Sequence, residues 1–433
     1  MPLIRREDRN FDVQLRAFVG TGVPSAEIRQ AVAKIISEVR TQGDKGVLAA
    51  TKRYDGARLT AAKLRIPVAE LAAAARQLAP ERRRAIQAAI TSVRDFHRRT
   101  LPKSWSARNL HGAEVGERHL PIKRCGLYIP GGQVPLVSTV VMTAIPAQVA
   151  GVPQVLACTP PGPDGKVHPD LMAALYLCGV REAYRMGGVQ AIAAMALGTN
   201  TLPAVDKIFG PGNAYVTEAK RQLFGEVGID LLPGPSEIMI IADRSANPEW
   251  VAADLCAQAE HGSGKETLYL VTVCSRMATA VERAARRQCE TLQHGAKIRA
   301  LLDRRLLMIK VKDLVAAAEV ANRVAPEHLE LMVAPTKIAA LAKSITTAGA
   351  MLLGHETPTV LGDFVAGPSH TLPTGGTGRF FSGLRVADFL RRTSTVRYHR
   401  AALQKAAATV AAFAAMERLD AHGRSLTLRL GKA

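Results

Sequence analysis

The amino-acid sequence predicts an α/β protein in which two Rossmann-like units, each with a parallel sheet, follow one another along the chain. From Gly126 onward, short apolar runs alternate with helical segments, and the alternation occurs as two successive series. Strands that alternate with helices of this length form parallel sheets with right-handed crossovers. The length of 433 residues and the hydrophobic content of 48% are sufficient for two or three buried cores.

The region before the first series is expected to be helical. Ser25 can cap a helix whose apolar side chains, from Ile28 to Val39, recur at helical spacing, and Gly43 ends it. A longer alanine-rich helical region extends from about residue 68 to residue 99 and is broken at Pro80.

The first series contains four strands and four helices. The predicted strands are GLYIP, QVLAC, EAYRM and DKIFG, and the predicted helices are TVVMTAIPAQVAG, PDLMAALYLCG, VQAIAAMALG and NAYVTEAKRQLFG. No strict G-x-G-x-x-G follows the first strand. The nearest fragment, Gly210-Pro211-Gly212-Asn213, fits a tight turn before a helix as well as it fits a phosphate cradle.

The second series has predicted strands at SEIMIIAD, ETLYLVTV and AMLLG, with helices around residues 250–260, 276–289, 311–324 and 337–348. Pro326 suits a first helical turn, so Glu327 and His328 are expected near a helix N-terminus. The chain after about Arg385 is expected to be a helical, basic appendage. Several glycine- and proline-rich joints lie where a strand gives way to a helix, which is where open parallel sheets bind ligands.

Composition restricts the class of protein. No stretch approaches the roughly 18 apolar residues of a membrane span, and the N-terminus lacks an apolar signal core, so we expect a cytoplasmic protein without a membrane partner. The six cysteines form no C-x-x-C pair, which is typical of free thiols in a reducing compartment. A catalytic cysteine remains open, but no position is singled out.

The formal charge of +20 raises the hypothesis of nucleic-acid binding. The basic residues occur in short groups beside acids or alanines, without interleaved aromatic residues for base stacking. Solvated helix faces explain them better, so no nucleic-acid partner is expected.

Three separate clusters contain side chains suited to a divalent metal. Gln258 and His261 share one helix face, Asp363 follows Gly362, and His422 lies near the C-terminus. Each has an ordinary alternative: a polar helix end, an Asx-turn and a helix C-terminus, respectively. Together, two imidazoles, one carboxylate and one amide oxygen form a ligand set for which zinc is the leading candidate.

Glu327 and His328 form an adjacent carboxylate and imidazole. Such a pair supplies one group that can activate water and another that can accept a hydroxyl proton. A structural interpretation, with Glu327 interacting with a helix dipole and His328 on the surface, explains the spacing equally well. In combination with the metal-type clusters, the pair indicates an enzyme.

At these residues the chain resembles the histidinol dehydrogenase family, and the resemblance extends from the first predicted strand to the tail. The matching segments include GLYIPGGQ, STVVMTAIPAQVAG, DKIFGPGNAYVTEAKR, DLLPGPSE, QAEHG, APEHLE, PTVLGDFVAGPSHTLPTGG and ERLDAH. The resemblance implies Zn²⁺, one ion per subunit, and NAD as cofactors. It implies that the family binds its nucleotide without the usual glycine fingerprint.

The resemblance also assigns roles to residues. It implies that Glu327 and His328 are the catalytic pair. The implied metal ligands are Gln258, His261, Asp363 and His422. The implied substrate contacts are Ser236, Gln258, His261, His328, Asp363, His370, Glu417 and His422. The implied NAD contacts are Tyr128, Gln190 and Asn213.

The implied reaction is the four-electron oxidation of L-histidinol to L-histidine through L-histidinal, in a homodimer with shared active sites. The domain division expected with it joins 23–125 and 237–384 in a unit with the metal and catalytic residues. Residues 126–236 form an NAD-contacting unit, and 1–22 with 385–433 form a helical dimerisation appendage. One alternative is a zinc- and NAD-dependent relative that oxidises another polar alcohol. A second alternative is a basic nucleic-acid-binding protein with a structural zinc.

Overall fold

A computed structural model describes residues 1–19, 25–131, 135–262 and 264–431. Gly132 and Gln133 of the GLYIPGGQ motif, and the expected boundary between residues 22 and 23, lie outside the described residues. Within these ranges, no helix is long and apolar enough to cross a membrane.

Strands and helices alternate over most of the described chain. The strands are β1 (Leu3–Arg5), β2 (Arg65–Ile66), β3 (Trp105–Arg108), β4 (Glu114–Pro121), β5 (Arg124–Tyr128), β6 (Gln154–Thr159), β7 (Glu182–Arg185), β8 (Lys207–Phe209), β9 (Gly228–Ile229), β10 (Glu237–Ala242), β11 (Thr267–Thr272), β12 (Leu306–Lys310), β13 (His328–Met332), β14 (Ala350–Leu353) and β15 (Leu390–Arg397). The helices are α1 (Phe11–Val19), α2 (Ala26–Gln42), α3 (Asp44–Tyr54), α4 (Ala61–Leu64), α5 (Val68–Gln77), α6 (Pro80–Arg99), α7 (Val137–Val149), α8 (Pro169–Leu177), α9 (Gly188–Leu197), α10 (Ala214–Leu223), α11 (Pro248–Ala259), α12 (Ser275–Cys289), α13 (Gly295–Arg305), α14 (Leu314–Val324), α15 (Pro335–Ser344), α16 (Thr359–Phe364), α17 (Arg400–Met416) and α18 (Asp420–Arg429). Short 3₁₀ turns occupy Thr377–Arg379 and Val386–Phe389.

The strands form three sheets, which we call sheets I, II and III. Sheet I has the order β2-β7-β6-β5-β8-β9 and is parallel except at β2. Sheet II has the order β1-β12-β11-β10-β13-β14 and is parallel throughout. Sheet III is the antiparallel set β15-β4-β3. The strand order reverses between β5 and β8 in sheet I and between β10 and β13 in sheet II. The predicted fold class of two parallel-sheet units is therefore confirmed.

Both parallel sheets are covered by helices on each face. In sheet II, Ile238 and Ile240 pack with α11, α12 and α13, whereas Met239 and Ile241 pack with α1, α14 and α15. This division follows from the two-residue period of a strand, and burial on both faces explains the continuous apolar runs in the sequence. Sheet I is likewise covered by helices on both of its faces.

Two sequence-based predictions of secondary structure were wrong. Pro326 does not begin a helix, because α14 ends at Val324, Ala325 caps it in a left-handed conformation, and His328 then starts β13. The run HLELM is buried at every position, as expected for a central parallel strand. The region after Arg385 is not wholly helical, since Leu390–Arg397 forms a strand paired with β4.

The packing also bears on the expected domain division, which remains a proposal. Helices α2 to α6 pack against sheet I, although 23–125 was expected to belong with the unit built on sheet II. At the N-terminus, β1 pairs with β12, and Phe11 and Leu15 enter the core of sheet II. These contacts favour one unit that joins α2 to α6 with sheet I, and another that joins residues 1–19 with sheet II.

Candidate active site

The site is built at the amino ends of two neighbouring strands of sheet II. Ser236 directly precedes β10, Glu327 directly precedes β13, and His328 is paired with Ile238 across the two strands. The backbone N–H of Glu237 donates to Oε2 of Glu327 at 2.8 Å, and Nδ1 of His328 lies 3.2 Å from the Glu237 carbonyl oxygen. The β10 backbone thus orients both side chains. Open parallel sheets usually bind ligands at their carboxyl ends, so this location was not expected.

These contacts determine how the imidazole of His328 is used. A carbonyl oxygen can only accept a hydrogen bond, so Nδ1 is the nitrogen that bears hydrogen in the neutral ring. Nε2 lies 3.6 Å from Oδ1 of Asp363, and Nδ1 lies 3.7 Å from Oε2 of Glu327. Nε2 is therefore the nitrogen available for proton exchange.

Three ionisable groups of this site have strongly shifted pKa values. Burial raises the pKa of Glu327 to about 7, even though His328 favours the carboxylate. Burial opposes the charged form of His328, but Glu327 and Asp363 outweigh it and raise the pKa of His328 to about 9. Burial, reinforced by Glu327, raises the pKa of Glu237 to about 8. Perturbed groups of this kind are typical of sites that transfer protons.

Three metal-type side chains lie beside this pair. Gln258 is in the last turn of α11 and His261 follows the helix end, with 3.4 Å between Nε2 of Gln258 and Nδ1 of His261. Asp363 is in α16 rather than in a loop. Burial opposes the charge of Asp363, but the nearby imidazoles, His328 above all, lower its pKa. Loss of hydration beside the other site groups lowers the pKa of His261, although the charge of Asp363 opposes this shift. These residues therefore form one electrostatic cluster.

His370 links the cluster to the helices on sheet I. Its Nδ1 lies 3.1 Å from the Asp363 carbonyl oxygen, and its Nε2 lies 3.3 Å from Oγ1 of Thr139 in α7. Ser369 donates to the carbonyl oxygen of Met142 at 3.2 Å. Burial lowers the pKa of His370. The neutral ring therefore has fixed partners on both nitrogens.

The three residues expected to contact NAD lie near the carboxyl edge of sheet I. Tyr128 ends β5 and its hydroxyl accepts a hydrogen bond from the N–H of Gly188 at 3.1 Å. Gln190 is in the first turn of α9 and donates to Oδ2 of Asp55 at 3.0 Å. Asn213 caps α10, accepting from the N–H groups of Tyr215 and Val216. This edge, where the strand order reverses between β5 and β8, is where open parallel sheets bind nucleotides.

His422 and Glu417 are not part of the cluster within one chain. Both are exposed, and neither has a hydrogen bond or ion pair to the cluster in the described part of the chain. Helix α17 ends at Met416, Arg418 has a φ of 55°, and α18 begins at Asp420. The helical path therefore breaks between these two residues, and His422 lies inside α18 rather than at a helix C-terminus. Among the described residues, no three His, Cys, Asp or Glu side chains form a metal-binding group.

A family model described as histidinol dehydrogenase matches residues 21–430. The chain belongs to the histidinol dehydrogenase family. Histidinol dehydrogenase from Syntrophotalea carbinolica is 41% identical over 99% of both chains. The protein of that name from Rhizobium meliloti is 43% identical, covering 98% of this chain and 97% of its own. The crystal structure of histidinol dehydrogenase from Elizabethkingia anophelis superimposes with a TM-score of 0.93 at 33% identity, covering 100% of this chain and 98% of that one.

Membership of the family makes the protein an oxidoreductase and explains why its segments match from the first strand to the tail. Sequence reasoning nevertheless missed neighbours of the site. Thr139 contacts His370 from 231 positions away, and Asp55 contacts Gln190 from 135 positions away. Burial raises the pKa of Asp55 to about 6. No local spacing connects such pairs, so only the folded chain reveals them. Glu237 had a weaker indication, since it follows Ser236 in the GPSE segment.

Proposed function

We propose that this protein oxidises L-histidinol to L-histidine through L-histidinal, as a step of histidine biosynthesis. The observation that best supports the proposal is the buried Glu327–His328 pair beside Asp363, Gln258 and His261. It combines two proton-transfer groups with side chains that can hold a cation. The reaction needs the proton-transfer groups, because an alcohol and then an aldehyde hydrate must each lose a proton as well as a hydride.

His328 would accept the hydroxyl proton in both oxidation steps. Its Nδ1 faces the Glu237 carbonyl, so the substrate proton would arrive at Nε2, the nitrogen on the side of Asp363. Glu327 would accept a proton from water, the hydroxide would add to the aldehyde carbon, and protonated His328 would return its proton to the aldehyde oxygen. This gives the hydrate and leaves His328 neutral for the second oxidation. A pKa of about 7 lets Glu327 exchange protons near neutrality. This route requires no cysteine nucleophile.

We infer that Gln258, His261, Asp363 and the His422 of a second copy hold one Zn²⁺ per subunit. The donors fit this ion, because an amide oxygen, a carboxylate and two imidazoles suit a borderline cation. The side chains of Gln258 and His261 already lie side by side, with 3.4 Å between Nε2 of Gln258 and Nδ1 of His261. When bound, the ion would anchor the imidazole and amine of the substrate. Substrate binding energy would then go into orientation. Ser236, His370 and Glu417 are the further proposed substrate contacts.

We propose NAD as the hydride acceptor, with Tyr128, Gln190 and Asn213 as its contacts. The fit rests on the carboxyl edge of sheet I, where backbone without bulky side chains can approach a dinucleotide. Gly188 and Gly210 there have φ values of 57° and 115°, which other residues rarely adopt. Helix α9 also begins at this edge, at Gly188, and the N-terminal end of a helix favours an anion such as a dinucleotide phosphate.

We propose a homodimer in which each tail completes the site of the other subunit. Large apolar side chains on the tail are exposed in the single chain, among them Phe413, Met416 and Leu428. Exposed apolar surface of this extent marks an interface with another protein. We place the enzyme in the cytoplasm, where its six free thiols would stay reduced.

A substrate comparison tests this function against another polar alcohol of the same reaction class. The zinc-loaded protein would be assayed with NAD and either L-histidinol or a sulfonated propanediol, and kcat/KM would be compared. We expect a preference of at least about 100-fold for L-histidinol, because a pocket built around the imidazole and amine leaves polar groups unpaired with other alcohols. A preference for the sulfonated diol would contradict the proposal.

A further inference from the structure

Two carboxyl groups lie close together beside the site, one on β13 and one on α11. Glu330 is fully buried in β13, and the Asp254 carboxyl of α11 lies close enough to it for a hydrogen bond to form when one of the two is protonated. Neither residue belongs to the proposed metal, substrate or NAD contacts. Burial raises the pKa of both, that of Asp254 to about 8.

The hydrogen bonds around Glu330 require one proton between the two carboxyl groups. Oε1 of Glu330 accepts from the N–H of Thr359 at 2.8 Å and from its hydroxyl at 2.7 Å. Oε2 is buried and has no donor among the described groups when both acids are ionised. A proton on Asp254 supplies that donor and removes the repulsion between two buried charges.

The three residues of this hydrogen-bonded group each lie one helical turn, or one two-residue strand period, from a residue of the proposed site. Asp254 precedes Gln258 by one helical turn in α11, and Thr359 precedes Asp363 by one turn in α16. Glu330 follows His328 by two positions in β13, so their side chains lie on the same face of the strand. The carboxyl pair therefore connects the three elements that present the amide, the imidazole and the carboxylate.

We propose that Asp254 and Glu330 share one proton and, together with Thr359, act as positioning residues that hold α11, β13 and α16 in the register needed by Gln258, His328 and Asp363. The identity of the positioned groups rests on the proposed function. Apolar packing holds the elements together, and hydrogen bonds between them add a further constraint on their relative position. Hydrogen bonds to buried carboxyl oxygens are directional and strong.

Two substitutions at Asp254 separate positioning from bulk stability. Asp254→Asn keeps an N–H donor for Glu330 without needing a proton, whereas Asp254→Leu keeps the approximate volume and leaves Oε2 of Glu330 without a donor. The matched control is Asp243→Leu, which removes another buried carboxyl from the opposite, carboxyl end of β10. Thr359→Val is a milder second test, since it removes only the hydroxyl donor and is expected to fold.

The readouts are Zn²⁺ affinity, the visible spectrum of the Co²⁺-substituted protein, and the split of KM and kcat. We expect Asp254→Leu to weaken metal binding about 10- to 100-fold and to alter the cobalt spectrum, the usual effect of losing a partner behind a ligand. Asp254→Asn should restore metal affinity to within about twofold of the parent. Asp243→Leu should lower thermal stability with an unchanged cobalt spectrum.

Hydrogen–deuterium exchange tests the positioning even if the parent binds no metal and oxidises no histidinol, which would end the proposed function alone. We expect Asp254→Leu and Thr359→Val to increase exchange in both 254–262 and 357–364, and Asp254→Asn and Asp243→Leu to leave both segments as in the parent. Unchanged exchange in 357–364 for both Asp254→Leu and Thr359→Val would overturn the proposal. A parental cobalt spectrum in Asp254→Leu would also overturn it. So would equal effects of Asp254→Leu and Asp243→Leu on Zn²⁺ affinity and on exchange in the two segments.

Discussion

Glu327 and His328 are adjacent in the chain, yet the structure gives them different partners. Glu327 accepts a hydrogen bond from the N–H of Glu237, and His328 faces the carbonyl of the same residue. One backbone unit of β10 therefore orients both groups. In the function that we propose, the carboxylate accepts a proton from water and the imidazole accepts one from a hydroxyl. The two roles are separable by experiment.

Glu327→Gln should slow oxidation of L-histidinal about 100-fold or more but oxidation of L-histidinol less than about tenfold, since only the first needs activated water. His328→Asn should slow both half-reactions about 100-fold or more, since both remove a hydroxyl proton. Single-turnover measurements of NADH from each substrate would check this. Equal and mild effects in both half-reactions would show that these residues are structural.

His97 gives a pH dependence of stability that is independent of the active site. It is fully buried in α6 with no hydrogen-bond partner on either nitrogen among the described residues, and burial lowers its pKa from 6.5 to about 4. The unfolded chain therefore binds the proton more tightly, so stability is lost as pH falls from 6.5 towards 4. This loss amounts to up to about 3 kcal/mol.

His97→Leu should remove this acid sensitivity and leave stability at pH 7 unchanged or higher, because two unpaired nitrogens are removed. Urea unfolding at pH 7 and pH 4.5 would measure it. His294→Leu, at an exposed position, controls for the loss of a histidine. The same loss of stability between the two pH values in His97→Leu and in the parent would contradict the assignment.

Among the elements, the loop after β8 is held by a buried ion pair. Lys220 of α10 pairs with Asp230, donates to the carbonyl oxygen of Gly210 at 2.7 Å, and is fully buried. Asp230 also accepts from the N–H of Gly210 at 2.7 Å. The pair thus fixes the loop that leads to Asn213.

Lys220→Met should destabilise the protein by about 3–5 kcal/mol, because it leaves the Asp230 carboxylate buried and unpaired. The double variant Lys220→Met/Asp230→Asn should recover part of this loss, because no unpaired charge remains. Denaturant unfolding would measure both. Arg40→Met, which breaks an exposed pair with Glu226, should cost less than about 1 kcal/mol. A loss at Lys220 no larger than at Arg40 would refute the role of the buried pair.

Most elements could be predicted because their periodicity is strong and their ends are marked. Ser25 caps α2 and Gly43 ends it, as expected, and the four strands of the first series lie where the apolar runs lie. β13 was missed because HLELM is short and the preceding Pro326 suits a helix start. The location of the site at the amino ends of sheet II depends on long-range pairing, which no local pattern encodes.

At the scale of the whole molecule, the proposed site residues do not all lie together in a single chain. Gln258, His261 and Asp363 lie together, whereas Glu417 and His422 are exposed on the tail. The homodimer that we propose, in which each tail completes the site of the other subunit, would account for this separation. The resemblance, rather than any spacing, is what connected the tail to the site.

His261→Ala and His422→Ala proteins, each expected to be inactive alone, should regain activity when co-expressed. In a mixed dimer, one of the two sites receives only intact groups from both chains, so about half the parental activity per mixed dimer is expected. Two affinity tags would isolate the mixed dimers for assay. No recovery in such dimers would mean that His422 serves its own subunit or does not bind metal.

The central claim is that one site performs two successive oxidations on a retained aldehyde. The most direct test is the number of NADH molecules formed per L-histidinol consumed, together with identification of the product. We expect two NADH per substrate and L-histidine as product, with no aldehyde released to a trapping amine. One NADH per substrate with trapped L-histidinal, or no NADH at all, would contradict the claim.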